Sequence, residues 1–386
     1  MIIMSNIDHI FLYLLLFFSL YRFQRNSRKI VKLSKYVLHA VFPILLFTII
    51  EGCRYGRGAD YFWYKYRFEY MYRFVEPQFL FGAYEHFLGL LNANYIVFFM
   101  CNSFLFITIL FAFLKKMFSS KESGWMYLLA VCALLYPFET FVRQYLAYPF
   151  LLLFVAFLMN ADKKKDYVIA VAMLCLTNML HSGLLFGIPF ILFFYYLLKK
   201  NISYKVAVGL IVSAYFILSN GFFADLFARY LQNVKFFAQI MSSDATLGYI
   251  EDSGRWLSAE SILTSTEQSF AAKIMQFFFE TSIAIGAYWA LRVKPNRKVT
   301  VFYNLFVVGC FFTRSFWGYE IFLRMFNQLY LFWFIPAGYV FYVYKESSGK
   351  ERSVLFITKI IISIYLIIYW GRNILFSPTS TFIWNV

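Results

Sequence analysis

Apolar runs long enough to cross a bilayer recur along the whole chain, and no other feature constrains its fold as strongly. Positions 94–114, 271–291 and 354–370 are examples. A helix needs about 20 such residues to span the hydrocarbon core. The runs are continuously apolar and lack the period-two alternation of a membrane barrel. Of the 386 residues, 61% are hydrophobic and 15% charged, whereas soluble domains have about 45–50% apolar and about 25% charged residues. The expectation is an all-α polytopic membrane protein, a single integral membrane domain over residues 1–386. Twelve transmembrane helices are expected, near 3–21, 36–52, 94–114, 124–138, 144–159, 167–181, 183–198, 204–220, 271–291, 299–313, 320–344 and 354–370.

Aromatic residues make up 23% of the chain. Most are expected to face lipid or pack between helices, and Tyr and Trp near segment ends suit the membrane interface. The five cysteines are scattered and odd in number, without metal-ligand spacing, so neither a disulfide framework nor a metal site is expected. The first apolar run follows no basic region and precedes no small-residue cleavage site, and reads as a retained helix.

Charge orders the loops. Those near 22–35, 115–122, 162–166, 199–205, 292–298 and 345–352 hold 22 of the 36 Lys+Arg residues and only five acids. The positive-inside rule makes these six loops cytoplasmic. The net charge of +16 is then a topology signal with attraction to anionic lipid, and no nucleic-acid partner is expected. Both termini fall outside, together with two long loops, 53–93 and 221–270. Within the first, Phe79, Leu80, Ala83, Phe87, Leu88 and Leu91 recur at helical spacing beside Glu85 and His86, which predicts an amphipathic helix on the outer surface. The second carries acids and Ser/Thr and reads as a lid or a decorated surface loop.

The cytoplasmic loops hold no nucleotide-binding pattern: no Walker-type loop, no Gly-x-Gly-x-x-Gly and no Asp-x-Asp. The outer side collects Arg54, Arg57, Asp60, Glu76, Glu139, Arg143, His181, Arg314, Glu320 and Arg324. Ionisable groups at membrane depth are costly and usually face a cavity. Glu139 and Arg143 are four apart, as are Glu320 and Arg324, so each pair can share one helix face as an intrahelical ion pair. Arginine forks match phosphate oxygens in bidentate geometry, and an anionic ligand accounts for the whole set more economically than separate ion pairs. A carboxylate or His181 is left to serve as base.

These residues resemble the EpsG family, Wzy-like polymerases of bacterial surface polysaccharides. Arg54-Tyr-Gly-Arg-Gly-Ala-Asp60-Tyr61, followed by Tyr64, is similar to the family's Arg-x-x-x-Gly-x-Asp-Tyr-x-x-Tyr. Glu76-Pro77-Gln78-Phe79 resembles its Glu-Pro-x-Phe, and Arg143-Gln144 and His181-Ser182-Gly183 resemble its central blocks. Arg324 with Tyr330 resembles its late Arg-x-x-x-Tyr, although the tyrosine lies two residues further along. The likeness runs over roughly residues 36–340.

The resemblance implies a nucleotide-independent glycosyltransferase that needs no cofactor. Such enzymes polymerise oligosaccharide repeat units carried on undecaprenyl diphosphate, at the outer face of the bacterial inner membrane, and a GT-C-like architecture is compatible with the helix count. It assigns Arg54, Arg57, Arg143 and Arg324 to the diphosphate, with Arg314, Gln144 and Glu320 as further substrate-binding candidates. Asp60, then Glu76 and Glu139, are candidate bases; His181 is a base or a sugar ligand, and Tyr61 and Tyr64 stack on sugar. The partners implied are undecaprenyl-diphosphate-linked oligosaccharides, membrane lipids and a chain-length regulator. A lipid-linked oligosaccharide flippase and a lipid-linked glycan ligase are the alternatives, but a transporter calls for midplane polar residues and internal repeats that the sequence does not show.

Overall fold

In the computed structural model, the described residues are 2–27, 32–71, 79–218, 269–316, 320–375 and 381–385. The helices are α1 (Ile2–Ser27), α2 (Leu33–Gly52), α3 (Tyr61–Tyr66), α4 (Phe79–Leu90), α5 (Tyr95–Met117), α6 (Gly124–Thr140), α7 (Val142–Met159) and α8 (Lys164–Leu180). They continue as α9 (Ile188–Leu192), α10 (Tyr204–Ser213), α11 (Phe270–Val293), α12 (Arg297–Ser315), α13 (Glu320–Tyr330), α14 (Phe334–Val343) and α15 (Gly349–Leu375). Two short strands, β1 (Arg54–Tyr55) and β2 (Thr381–Phe382), form one antiparallel pair. The fold is therefore all-α. Five described helices (α2, α5, α7, α11 and α15) are long and apolar enough to cross a membrane, and α6 and the segments 182–197 and 204–218 are apolar but shorter.

Three segments expected as continuous α-helices change pitch along their length. Ser182–Gly187 is a 3-10 turn, α9 follows with Pro189 in its first turn, and Phe193–Leu197 widens into a π-turn. A second π-turn, Ala214–Leu218, extends α10. Between α13 and α14 the chain tightens into a 3-10 turn at Leu331–Trp333, where Pro336 lacks the N–H that would bond the Phe332 carbonyl. The loop expected at 221–270 lies outside the described residues except for Ser269 and Phe270.

The chain divides into two compact units. The first comprises residues 1–185, 337–346 and 366–386. Here α1 packs on α2 and α6, α2 on α5, and α7 on α5 and α8. Much of the aromatic content is spent in this packing. Phe106 stacks on Phe138 at 4.5 Å and on Phe47 at 5.9 Å, and the buried Tyr36 hydroxyl bonds that of Tyr127 at 3.0 Å. Offset and edge-on ring pairs of this kind add to area burial.

The second unit comprises residues 186–336 and 347–365. Helices α10 and α11 pack on one another and on α12, which also carries α13. The buried Asn304 amide accepts from Ile202 N–H and donates to Lys200 C=O, which ties down the turn before α10.

The amphipathic helix expected in the 53–93 loop is present as α4, with its faces settled by an ion pair. Phe81, Glu85 and Leu88 are buried, while Phe79, Ala83, His86, Phe87 and Leu90 are exposed. Glu85, which reads in the sequence as part of the polar surface, turns inward because Arg67 meets it there.

Candidate functional site

The run Arg54–Tyr61 leaves α2 directly after Glu51, and Glu51 organises it. Arg54 and Arg57 each donate to the Glu51 carboxylate at 3.0 Å, and Tyr13 of α1 donates to it at 2.7 Å. Arg57 also pairs with Glu139 at 3.0 Å and donates to His9 Nδ1 at 3.3 Å. Arg54 reaches the Glu139 carbonyl at 3.4 Å and lies over the Phe99 ring. Two carboxylates thus balance two guanidinium groups, which is how charges are retained in a low-dielectric setting. Burial acts against the Arg57 charge, but Glu139 and Glu51 outweigh it and hold the group protonated beyond the ordinary arginine range. Arg54 is fully buried and Arg57 is 5% exposed.

Gly58 fits this arrangement for a steric reason. Its φ is +90°, and a Cβ there would lie 2.0 Å from the Glu139 carbonyl oxygen. The loop therefore packs backbone to backbone on the end of α6. From the other side, β2 pairs with β1, Arg54 opposite Phe382, and Ile383 N–H bonds the Cys53 carbonyl. The Arg57 guanidinium lies over the Phe382 ring, and Trp384 donates to Asp8 at 3.2 Å. His9 of α1, the 54–60 loop and residues 381–384 thus share one end of the first unit.

Beyond Asp60, Tyr61 is buried and stacked on Phe99 at 4.9 Å, so its ring is occupied by protein. Tyr64 is buried as well, its hydroxyl accepting from the Arg143 backbone N–H; burial raises its pKa. Arg67 grips Glu85 with Nε and Nη2, at 3.0 and 2.6 Å to Oε2. Burial pushes the Glu85 carboxyl above its usual range, against the opposing pull of Arg67 and Arg143. The Phe81 ring lies under both guanidinium groups, at 5.6 Å from Arg67 and 6.0 Å from Arg143.

Glu139 and Arg143 do not share a helix. Phe141, with φ −114° and ψ 63°, separates α6 from α7, so Glu139 turns to Arg57 while Arg143 opens α7 beside Phe81. Gln144 is buried in the same turn. His181 caps α8, and its Nδ1 accepts from Gly183 N–H at 3.2 Å. The neutral ring then carries its proton on Nε2, which makes that nitrogen a donor.

In the second unit, Arg314 is 6% exposed and forks onto the fully buried Glu280 of α11, with Nε 3.1 Å from Oε1. Tyr215 donates to the same carboxylate at 3.0 Å, and the Tyr330 ring lies under the guanidinium. Arg324 is half-buried in α13, which Glu320 opens. Glu76 lies outside the described residues.

Sequence reasoning passed over Tyr13, His9, Glu51, Arg67, Glu85 and Glu280 as site residues. Glu51 and Glu280 carried a signal, since each is the sole acid of an apolar helix and needs a partner at such depth.

The helices and their neutralised ionic clusters define an integral membrane protein with charged groups built into its interior. Residues 37–384 match the sequence model of the EpsG family, nearly the whole chain. The chain belongs to the EpsG family, a family of Wzy-like polysaccharide polymerases. Comparison with curated proteins gives no match, nor does comparison with solved structures.

Proposed function

We propose that the chain polymerises oligosaccharide repeat units carried on undecaprenyl diphosphate, at the outer face of the bacterial inner membrane. The terminal hydroxyl of an incoming lipid-linked unit attacks the anomeric carbon of the growing chain. The bond from that carbon to the diphosphate breaks, the lipid diphosphate leaves with the electron pair, and the hydroxyl proton passes to a carboxylate. The leaving group gains negative charge, which preorganised arginines stabilise far better in a dry site than in water.

The observation that carries this reading, within the family, is a division between sealed and accessible residues. Arg54, Arg57, Tyr61 and Gln144 are buried, whereas Asp60, Arg143 and His181 are each partly exposed. Arg143 is accordingly assigned to the diphosphate and Asp60 to the acceptor proton, both in the first unit; Arg324, in the second unit, is a separate candidate for phosphate contact. Glu76 and Glu139 remain alternative bases, the latter with Arg57 already on its carboxylate. His181 offers Nε2–H to a sugar or phosphate oxygen. Arg54 and Arg57 act as positioning residues, fixing the loop that presents Asp60.

The test is polymerisation by purified protein in liposomes supplied with lipid-linked repeat units on one side. Arg143→Ala and Asp60→Asn should fold normally and lose the product ladder. Wild-type ladders from both variants would sink the assignment, and lipid-linked units crossing the bilayer without elongation would mark a flippase.

A further inference from the structure

A pocket of about 280 Å³ lies between α1 and α2, away from the Glu51 cluster. Arg22, on its wall, is thirteen residues beyond His9, about 20 Å along the helix; His39 precedes Glu51 by twelve, about 18 Å. The rim is apolar and open. Phe18, Leu38 and Phe42 line the pocket and are 61%, 72% and 57% exposed. They continue a stripe of exposed Phe11 and Leu14 on α1 and Val41, Leu45 and Ile49 on α2. In a membrane protein such a stripe faces acyl chains, so the occupant comes from the bilayer rather than from water.

The lining also carries polar side chains: Arg22 and His39 are exposed and Asn26 is half-buried, and Arg22 has no ion-pair partner among the described residues. Pro43, also on the wall, has no N–H to give the His39 carbonyl four residues before it, which leaves that oxygen without its helical donor. One cation, an amide and a carbonyl acceptor match a single phosphate diester bearing a hydroxylated headgroup. Arg25, Lys32 and Lys35 on the adjoining segment add to the local positive field.

We propose that this pocket binds an anionic glycerophospholipid. Arg22 and Asn26 hold the phosphate, the His39 carbonyl accepts from a headgroup hydroxyl, and an acyl chain lies along Phe18, Leu38 and Phe42. The site is separate from the polymerisation site and does not depend on its assignment.

The experiment is native mass spectrometry of the full chain, released from detergent with palmitoyl-oleoyl phosphatidylglycerol or palmitoyl-oleoyl phosphatidylcholine. Wild type should retain phosphatidylglycerol about tenfold better, because it is net anionic beside Arg22 and offers a hydroxyl to the His39 carbonyl, whereas the choline cation is repelled by Arg22 and has no hydroxyl. Arg22→Gln should abolish that preference, as should Leu38→Trp, which fills the pocket from a position already exposed. Arg25→Gln, a basic neighbour outside the pocket, should keep it. Equal retention of the two lipids by wild type overturns the proposal, as does an unchanged preference in Arg22→Gln or an equal loss in Arg25→Gln. Displacement of phosphatidylglycerol by a lipid-linked diphosphate at matching concentration would give the pocket to substrate and also overturn it.

Discussion

The Tyr13 hydroxyl in α1 donates to Glu51 at the end of α2 across 2.7 Å, with both groups buried. It is one of three donors to this carboxylate, beside Arg54 and Arg57, and it ties the first helix to the motif loop. Tyr13→Phe should lower stability by about 1.5–3 kcal/mol, the usual worth of a hydrogen bond to a charged group. Glu51→Ala, which strands two buried arginines, should cost about 3–5 kcal/mol. Thermal unfolding in detergent checks the order, and an unshifted midpoint in Glu51→Ala would refute the central place given to that carboxylate.

Gly58→Ala should be among the most damaging single-methyl changes in the chain. The φ of +90° alone costs about 1–3 kcal/mol for a side-chain-bearing residue, and the new Cβ also meets the Glu139 carbonyl. Gly209→Ala is the matched control: nothing lies within 4 Å of its Cβ position, so a gain of about 0.4–1 kcal/mol is expected there. Loss of polymerisation in the first variant with normal activity in the second is the predicted outcome.

Arginines of the first unit should separate by readout. Arg57→Lys keeps a charge but loses the fork that joins Glu51 to Glu139, so its melting point should fall. Arg143→Lys should melt like wild type and elongate poorly. A melting point that falls equally in both variants would remove the distinction between positioning and contact.

The Glu280–Arg314 pair lends itself to a double-mutant cycle. Glu280→Leu alone leaves a buried guanidinium and should cost about 3–5 kcal/mol, while the added Arg314→Leu should restore much of the loss. The coupling between the two changes should then exceed the cost of Arg314→Leu alone. Strict additivity of the two changes would show that they act independently.

His181 is predicted to work as a donor. His181→Gln, which retains an N–H, should keep more polymerising activity than His181→Phe. Gly183→Ala places a methyl 3.0 Å from the ring Cε1 and should shift the imidazole, lowering turnover with little change in melting point. Equal activity of the Gln and Phe variants would discard the donor role.

Helices α5, α7 and α11 were legible because long apolar runs leave the chain few other folds. The Glu139–Arg143 spacing misled because four residues define a shared face only if the helix continues, and Phe141 stops it. Glu85 misled in another way: periodicity finds an apolar face but cannot see that Arg67, eighteen residues away, will draw a carboxylate inward. Pairings such as Tyr13 with Glu51, Arg57 with Glu139 and Arg314 with Glu280 are set by packing between distant segments. Sequence offered only half of each: an acid or an arginine placed where the membrane would demand company.

The pairing of β1 with β2 sets an order in time. Arg54 enters the membrane early in synthesis, but Phe382, whose ring lies against Arg57, is made only after every intervening helix. Until it arrives, the arginine loop stands open on that side. Closure of the loop on that side therefore waits for the last residues made, and a chain halted before residue 381 would leave Arg57 without its Phe382 cover.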